Sequence, residues 1–529
     1  MTEYLANRFS IISFIPKLAF LVFVVLELLL YDTRTETYNY SLILFFVFSF
    51  IIVLIFLYIW NIKKHETILY LLYYLSSIAA ISSGNLLSLV ISFEFMALSA
   101  LMIVAVNSFG ANKNSVIHYS CIHFLSGVLL LIGASGGFLG IINGEYYYKL
   151  FFLIGLLINC ACFPLSSWVT DAYSAALNNG ILILSVFTTK VSAYVLLFFF
   201  QGEKILLFLG IATSVYGIIF SMLENNIKRL LCYNLVGQMG LVITAIGFSY
   251  NDGVDIYGII VLQIVLSIVY QTLLFMVAIS VINSTQKFNL SEIGGLFNKM
   301  PVEAVCSAIA IFTMGALPGT GGFVSKFLIT HNINNVDLAS VLMGKLFLIC
   351  SILLFVSVGI KFFWYAFISK AIESPIVRKV CAASKLSMLI LTLVCTFFGV
   401  FGSYYLFHDL DSEKLSSIVL QCGLIFGSIL FFICFHPVFK GRVNFTMDID
   451  WVYRVLFMSV ILFINNFLLC IYNILITMLN NVLSTRILLY FKDGRKILGI
   501  SSIDPLGFTI IFGMLFIIIM VVVYLCLSL

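Results

Sequence analysis

Charged side chains are scarce in this sequence. They make up 10% of its 529 residues, while 62% are hydrophobic and the mean hydropathy is +1.15. A soluble globular chain is nearer half apolar and about a quarter charged. Only seven prolines interrupt the chain. No stretch is long and polar enough for a separate soluble domain, which argues against a nucleotide- or substrate-binding domain outside a membrane.

Clusters of metal-binding residues are also missing from the sequence. The twelve cysteines are scattered singly through apolar runs. The closest pair, Cys160 and Cys162, lacks partners at the spacing of a metal site. We expect the cysteines to be small core side chains and predict no metal. The formal charge of +5 comes from basic loops, so the sequence predicts no nucleic-acid partner.

Apolar runs of about 20 residues fill almost the whole length, and each is long enough to cross a bilayer about 30 Å thick. Lipid requires every backbone polar group to be bonded internally, and the runs do not alternate, so they predict helices and not a barrel. The fold class predicted is an all-α membrane protein with about 14–16 transmembrane helices. The expected spans are 10–30, 39–60, 67–83, 84–107, 115–140, 147–163, 180–200, 204–223, 229–249, 256–283, 302–328, 341–369, 384–406, 416–438, 453–482 and 506–528.

The loops predict an orientation, because Lys and Arg accumulate on the cytoplasmic side of a membrane. Basic loops, expected inside, lie at 61–66, 224–229, 284–299, 369–380 and 440–442. The loops 250–255 and 408–413 are acidic. The alternation breaks at the basic segment 484–496, which leaves either two short passes or a segment along the membrane. The first run is too long for a signal-peptide core, so we expect a retained anchor.

Two ionisable residues lie near the centres of apolar runs, Glu94 in SFEFMALSALMIV and Lys190 in FTTKVSAYVLLFFF. A charge at mid-membrane depth is costly, so such residues face a protein interior or a wet cavity and pair with one another. Burial also favours the neutral forms of both groups, and coupled protonation of the two is what a proton relay needs. The alternative is a structural pair without transport.

Other ionisable residues in apolar surroundings are less distinctive. Lys228 and Lys326 lie near helix ends, where a lysine often extends to the headgroups. Lys361 is nine residues from a basic loop, so its position leaves both interpretations open. His118 and His123 are either a relay or hydrogen-bonded core residues. We retain His118, His123 and Lys326 as possible relay groups.

Two segments with Pro, Gly and small polar residues adjoin long apolar runs, 162–181 with Pro164 and 315–327 with Pro318 and Gly319. Non-helical backbone at membrane depth is tolerated only inside protein or beside a cavity. Two such breaks in matching places of two halves are typical of transporters built from inverted repeats. Lys190 follows the first break and Lys361 follows the second on the next long segment.

Five motifs in this order resemble the proton-conducting antiporter-like membrane subunits of respiratory complex I and of Mrp-type cation/proton antiporters. They are SFEFMALSALMIVAV, FPLSSWVTDAYSAAL followed by FTTKVSAY, NIKRLLCYNLVGQMG, ALPGTGGFVSKFLI and VGIKFFWYAF. The likeness covers about residues 80 to 400, and the lysine motifs look closer to the D branch of the Mrp type than to a standard complex I protein.

The resemblance implies two inverted five-helix repeats with broken helices plus flanking helices, and a hydrophilic axis at the midplane. It implies that Glu94 and Lys190 form an ion pair controlling a proton half-channel, with Lys228 as central relay and Lys361 as exit group. The ions implied are H⁺ and, in an antiporter, Na⁺. It implies no flavin, iron–sulfur cluster or other cofactor in this chain. Quinone and NADH would act only through partner subunits, with this chain a non-redox subunit if it belongs to complex I.

The sequence departs from the family pattern at three places. Ser267 and Gln271 stand where the family commonly has a histidine and often a lysine, Asn226 replaces an aspartate, and YSAAL lacks the usual glutamate–alanine–proline. The alternatives are a Mrp-type antiporter subunit, a proton-pumping complex I subunit, and a diverged scaffold without transport. We expect flanking helices at 1–66, a conducting core at 67–400 and further flanking helices at 401–529. The expected location is the cell's inner membrane, with the mitochondrial inner membrane as the alternative.

Overall fold

The computed structural model is helical over the residues that it describes. These are residues 36–439 and a few isolated positions beyond, apart from gaps at 61, 109–112, 138–140, 142–145, 251–254, 334–337, 371–376 and 409–411. The expected spans 10–30, 453–482 and 506–528, the loop 440–442 and the basic segment 484–496 lie outside the described residues. The predicted total of about 14–16 spans therefore stays a prediction.

The helices follow one another with short connections. In chain order they are α1 Glu36–Tyr58, α2 Lys64–Ile81, α3 Leu86–Ser108, α4 Lys113–Ser135, α5 Tyr146–Asn159, α6 Asn178–Leu184, α7 Thr188–Phe200, α8 Ile205–Leu223, α9 Ile227–Gly247, α10 Ile256–Thr285, α11 Pro301–Met314, α12 Gly321–His331, α13 Leu338–Leu354, α14 Ala382–His408 and α15 Ser412–Phe439. Past α13 the helix continues through a π-helical turn Phe355–Ile360, an α-helical turn Lys361–Phe363 and a second π-helical turn Trp364–Ile368.

Ten helical segments of the described residues are long and apolar enough to cross a membrane, which matches the predicted class. One expected span is interrupted. The run 302–328 folds as α11 and α12, separated by the non-helical residues 315–320. The run 147–163 ends as a helix at Asn159, and the chain turns through Pro164 before a π-helical turn at Val169–Tyr173.

The core of the bundle lies around α9 and α10. The apolar windows of both helices are completely buried, whereas that of α15 is only 17% buried. Within these windows, the polar side chains of α9 and α10 are therefore enclosed by protein. The outer helices expose large apolar side chains such as Leu393 and Phe426, as expected of surfaces that meet lipid or neighbouring subunits.

Glycines let α8 and α9 approach closely. A Cβ on Gly217 of α8 would lie 2.7 Å from the Cα of Gly237 on α9. Farther along the same contact, a Cβ on Gly240 would lie 2.6 Å from the carbonyl oxygen of Gly210. Small residues at such a crossing are how membrane helices bring their backbones together. This contact holds the end of α8 against α9. Two of the lysines described below, Lys228 and Lys361, lie at this end.

Several of the loops predicted to be basic meet at one end of the bundle. Asn226 forms an isolated antiparallel bridge with Asn289. The amide of Arg378 donates to the carbonyl of Ser284 at 3.1 Å. The Ser384 hydroxyl donates to the carbonyl of Tyr58, the last residue of α1, at 2.8 Å. We call this the basic end of the bundle.

Candidate functional site

Lys190 lies at a helix interruption in the first half. Helix α6 ends at Leu184 and α7 begins at Thr188, so the carbonyl of Ser185 is left without a helical partner. The Lys190 ammonium donates to that carbonyl at 2.7 Å and is 1% exposed. The break thus supplies the Lys190 ammonium with a polar acceptor. The apolar sequence around the lysine has no such acceptor to offer.

Glu94 is buried at the middle of α3, with 7% of its surface exposed. Its carboxylate lies against Gly127 of α4, where a Cβ would overlap it. The ion pairs of the described residues do not include one between Glu94 and Lys190. Any exchange of protons between these two groups must pass through other groups or water.

Tyrosines that sequence analysis did not single out connect the surroundings of Glu94 to α7, the helix of Lys190. The Tyr119 ring is within electrostatic range of both Glu94 and Tyr73. The hydroxyl of Tyr73 is hydrogen-bonded to Thr188, the first residue of α7. The Tyr119 hydroxyl itself has no hydrogen-bond partner in the described part of the chain. Only the fold brings these hydroxyls together, because Tyr73 and Thr188 are 115 positions apart.

The two histidines occupy different surroundings. His123 is buried, 4.2 Å between ring centroids from Tyr119 and 4.5 Å from Trp168. His118 Nδ1 lies 3.2 Å from a carboxylate oxygen of Asp171, in the π-helical turn of the first break. His118 is thus placed beside an acidic partner, whereas His123 is packed among aromatic rings.

Asp171 belongs to a charged network that reaches the start of α9. Arg229 Nη1 lies 3.8 Å from the Asp171 carboxylate, and Arg229 Nε donates to Glu224 at 2.9 Å. The second oxygen of Glu224 accepts from the amides of Asn225 and Asn226 at 3.0 and 2.9 Å. Sequence analysis passed over Asp171 and Glu224 because acidic residues beside loops are ordinary.

Lys228 lies in the first turn of α9 and is 9% exposed. Its ammonium donates to the carbonyl of Ala176 at 3.0 Å, so it points into the protein and not to the headgroups. Asn226 caps this helix by accepting from the amides of Lys228 and Arg229 at 3.0 and 3.4 Å. Asparagine caps a helix about as well as aspartate, so this departure preserves the local structure.

Lys361 reaches the carboxyl end of α8. Its ammonium donates to the carbonyls of Ser221, Met222 and Glu224 at 2.9, 2.7 and 2.7 Å. The last carbonyls of a helix lack intrahelical partners and carry partial negative charge, which favours a cation there. The two π-helical turns bracket Lys361, and such turns are frequent at functional sites.

Lys326 is fully buried after the second break. It donates to the carbonyl of Met314 at 2.6 Å and to the hydroxyl of Ser351 at 2.7 Å. The helical partner of the Met314 carbonyl would be the amide of Pro318, which proline lacks. The helix break at Pro318 therefore provides the oxygen that holds Lys326.

The four buried lysines share one chemical arrangement. Each ammonium is bound by main-chain carbonyls at a helix end or break. Among the described residues, none of the four lies within 4.0 Å of a carboxylate. A carbonyl satisfies an N–H donor without cancelling its full charge, so these sites hold a proton less firmly than a buried salt bridge would.

A line of uncharged polar groups crosses the buried α9 and α10. Tyr270 donates to Gln238 at 2.9 Å, and Ser325 donates to Gln263 at 2.6 Å. Neither polar atom of the Gln271 side chain has a hydrogen-bond partner within the described residues. Ser267 donates to the carbonyl of Ile264 at 2.6 Å. Buried amides in this condition are typical sites of ordered water, so these groups can order a hydrated path but cannot titrate.

The predicted absence of a metal stays a prediction. The described residues contain no group of three or more His, Cys, Asp and Glu side chains able to hold a metal ion. The buried cations would also repel one.

Fold and site together define a multi-pass, all-helical membrane protein whose described interior carries four buried lysines, called the lysine row here for their order along the chain. Residues 83–354 match the model of a single family, the transmembrane part of the NADH:quinone oxidoreductase and Mrp antiporter subunits. The match covers just over half of the chain, and the chain belongs to this family.

Known proteins agree with this assignment. The chain is 25% identical over 283 residues to NADH-quinone oxidoreductase subunit N of Pelagibacter ubique, covering 48% of this chain and 59% of that relative. Its fold is similar to a chain of the Mrp complex from Dietzia sp., with a TM-score of 0.62, 16% identity and coverage of 73% and 83% of the two chains. It is also similar to a chain of the membrane-bound sulfane sulfur reductase, an archaeal respiratory membrane complex, with a TM-score of 0.61, 20% identity and coverage of 77% and 74%. The chain is thus an antiporter-like membrane subunit whose solved structural relatives are parts of multisubunit complexes.

Proposed function

We propose that this chain translocates protons across the membrane as one subunit of a multisubunit monovalent cation/proton antiporter. The observation that supports the proposal is the row of buried lysines held by carbonyls and not by carboxylates. Glu94 and Lys190 change protonation state together, and the charge passes laterally through Lys228 to Lys361. Glu94 reaches Lys190 through the Tyr73 and Tyr119 hydroxyls and water, which replaces the direct ion pair expected from the resemblance.

The remaining groups have supporting places in this scheme. His118 exchanges protons with Asp171, and Lys326 lies beside the second break as an additional relay group. His123 is assigned a packing role because aromatic rings surround it. The polar line of Gln263, Ser267 and Gln271 conducts through water in the second half. We also propose that this proton movement is coupled to Na⁺ exchange. The conducting core is placed at 67–400, in the cell's inner membrane.

Replacing Lys190 tests the proposal directly. In membrane vesicles that contain the assembled complex, Lys190→Met should abolish proton flux, measured with a pH-sensitive dye, while the protein stays inserted. Lys64→Met is the matched control, because Lys64 is exposed at the start of α2 and should leave the flux unchanged. Wild-type flux in the Lys190 variant would refute the assignment.

A second candidate function is a proton-pumping subunit of NADH:quinone oxidoreductase, favoured by the likeness to subunit N. The two functions share the lysine row and differ in the partner subunits that drive proton movement through it. A scaffold without transport is the third, motivated by Ser267 and Gln271. It predicts that Glu94→Gln alters neither growth nor ion gradients, whereas deleting the chain disrupts assembly of the complex.

A further inference from the structure

Glu303 is a buried carboxylate that the lysine row does not use. It is the third residue of α11 and has no exposed surface. Neither of its carboxylate oxygens has a hydrogen-bond partner in the described part of the chain. Burying an ionised carboxylate without a partner is unfavourable, so this position suits a group that binds a proton or a cation.

The surroundings of Glu303 are rich in hydroxyl groups and lie at the basic end. Tyr58 of α1 is within electrostatic range of Glu303, and its hydroxyl donates to the carbonyl of Met276 at 2.9 Å and is 2.8 Å from Ser280 Oγ. Cys306, one turn along α11, also interacts electrostatically with Glu303. The facing helices α10 and α14 contribute the hydroxyls of Ser280 and Thr392.

Nearby sulfur atoms bear on whether Glu303 would bind a proton or a metal cation. Met300 and Met388 accept hydrogen bonds from Ser284 and Ser280 at 3.3 and 3.9 Å, so thioethers line the region along with the hydroxyls. Thioethers are poor ligands for a hard cation such as Na⁺, which prefers oxygen. These groups favour a proton over a metal cation as the partner that Glu303 would bind, and the sodium dependence tested below separates the two.

The helix of Glu303 also contacts the helix of Lys361. Helix α11 touches both the π-helical turn Phe355–Ile360 and the turn Lys361–Phe363. The loop before α11 is bonded to the second π-helical turn through the amides of Leu296 and Phe297, which donate to Ala366 and Phe367 at 3.3 and 3.2 Å. A change of charge at Glu303 would thus act on the segment that positions Lys361.

We propose that Glu303 is a proton-binding site that loads the second half of the chain from the basic end. This inference rests on the proposed function, since it gives the second half the titratable acid that Ser267 and Gln271 do not supply. The carboxylate takes up a proton from water at the basic end to form the acid, and returns to the carboxylate when the proton moves on. Only the O–H bond forms and breaks.

Two substitutions test the proposal in vesicles containing the assembled complex. Glu303→Gln keeps the shape of the side chain but cannot ionise, and proton flux should fall by about tenfold or more. Glu303→Asp retains the acid and should recover part of the flux. Glu292→Gln is the matched control, because Glu292 is an exposed carboxylate at the same end and its loss should have no effect.

Infrared difference spectroscopy of the full-length chain in lipid supplies a readout independent of flux. One carbonyl band of a protonated carboxylic acid, present in the wild type and in Glu292→Gln, should be missing from the spectrum of Glu303→Gln, while the band of Glu94 remains. A band that responds to Na⁺ at constant pH would overturn the assignment in favour of a metal-ion site. If Glu303→Gln does not fold, wild-type protein treated with dicyclohexylcarbodiimide decides, because that reagent modifies buried protonated carboxyls; a Glu303 that stays unlabelled overturns the proposal.

The failures of the two proposals are distinguishable. Normal flux in Glu303→Gln together with lost flux in Lys190→Met overturns the role of Glu303 and leaves the proposed function standing. Normal flux in both variants overturns the proposed function, and with it the loading role of Glu303. Loss of flux in Glu303→Gln without loss of the carboxylic acid band assigns the effect to structure and overturns the site.

Discussion

At the scale of single residues, the lysines are distinguished by what binds them. A lysine paired with a carboxylate is stabilised in its charged form, whereas a lysine bound only by carbonyls gains hydrogen bonds without a neutralising charge. Lys361 makes the most such hydrogen bonds, to three carbonyls, and the Glu224 carboxylate acts on it only from a distance beyond 4.0 Å. Such a group can lose its proton without leaving an unpaired carboxylate beside it, which suits a relay.

Arginine at position 361 separates the need for charge from the need to release a proton. Arginine keeps its charge in proteins and donates to the same carbonyls. We expect Lys361→Arg to fold and assemble but to conduct no protons, as judged by flux in vesicles and by co-purification with the complex. Lys64→Arg is the control at an exposed position. Substantial conduction by the Lys361 variant would mean that this residue acts only through its charge.

A methyl group on Gly127 tests the position of Glu94. The Cβ of Gly127→Ala would overlap the Glu94 carboxylate and displace it, so proton flux should fall although no titratable group has changed. Gly84→Ala is the matched control, because nothing lies within 4 Å of a Cβ there. Equal flux in the two variants would show that the exact place of Glu94 is unimportant.

At the scale of helices, the breaks and the close contacts have different duties. At the ends of α6, α8 and α11, main-chain carbonyls accept hydrogen bonds from the lysines. The tight α8–α9 contact holds the end of α8 in place. Helix ends in a membrane core are costly unless their polar groups are bonded. Here the lysines provide those bonds, so each break and its lysine stabilise one another.

Enlarging the α8–α9 contact should weaken the fold. Gly217→Val would press a branched side chain against the backbone of Gly237, and overpacking of this kind costs about 1–3 kcal/mol. We expect a lower thermal unfolding midpoint of the purified protein in detergent. Gly423→Val, on the outer helix α15 with nothing within 4 Å of a Cβ, should leave the midpoint nearly unchanged. A similar midpoint for both would mean that the helices separate easily.

At the scale of the whole molecule, polar side chains lie in the buried centre of the described residues and large apolar side chains lie on the outside. The described core has completely buried central helices, while α15 is 17% buried and exposes a broad apolar surface. The solved relatives are chains of larger complexes. We infer that part of this outer surface meets other subunits and the remainder meets lipid.

Purification of the native complex through a tag on this chain identifies those subunits. The proposed function predicts small antiporter subunits by mass spectrometry, and the same set from cells carrying Lys190→Met, because that change removes conduction and not assembly. Iron–sulfur or hydrogenase-like subunits would instead assign the chain to complex I. A chain that purifies without any partner would contradict both assignments.

Some of this organisation could be predicted from the sequence, and some could not. Central positions in long apolar runs predicted that Glu94 and Lys190 are buried, and the motifs predicted the family. The tyrosines between them and the carbonyl partners of the lysines depend on contacts between distant segments. Glu303 looked ordinary because it sits near a loop, where acidic residues are usually solvated. Pro318 indicated a break within the run 302–328, but the length of this run predicted a single span.

The two π-helical turns on either side of Lys361 have a consequence for comparing relatives. A turn of this kind arises when one extra residue is accommodated inside an α-helix without unravelling it. Members of the family with an unbroken helix here would then be shorter by a residue before the lysine and by another after it. Gaps of one position in that stretch, more than exchanges of one amino acid for another, would record when this part of the protein took its present form.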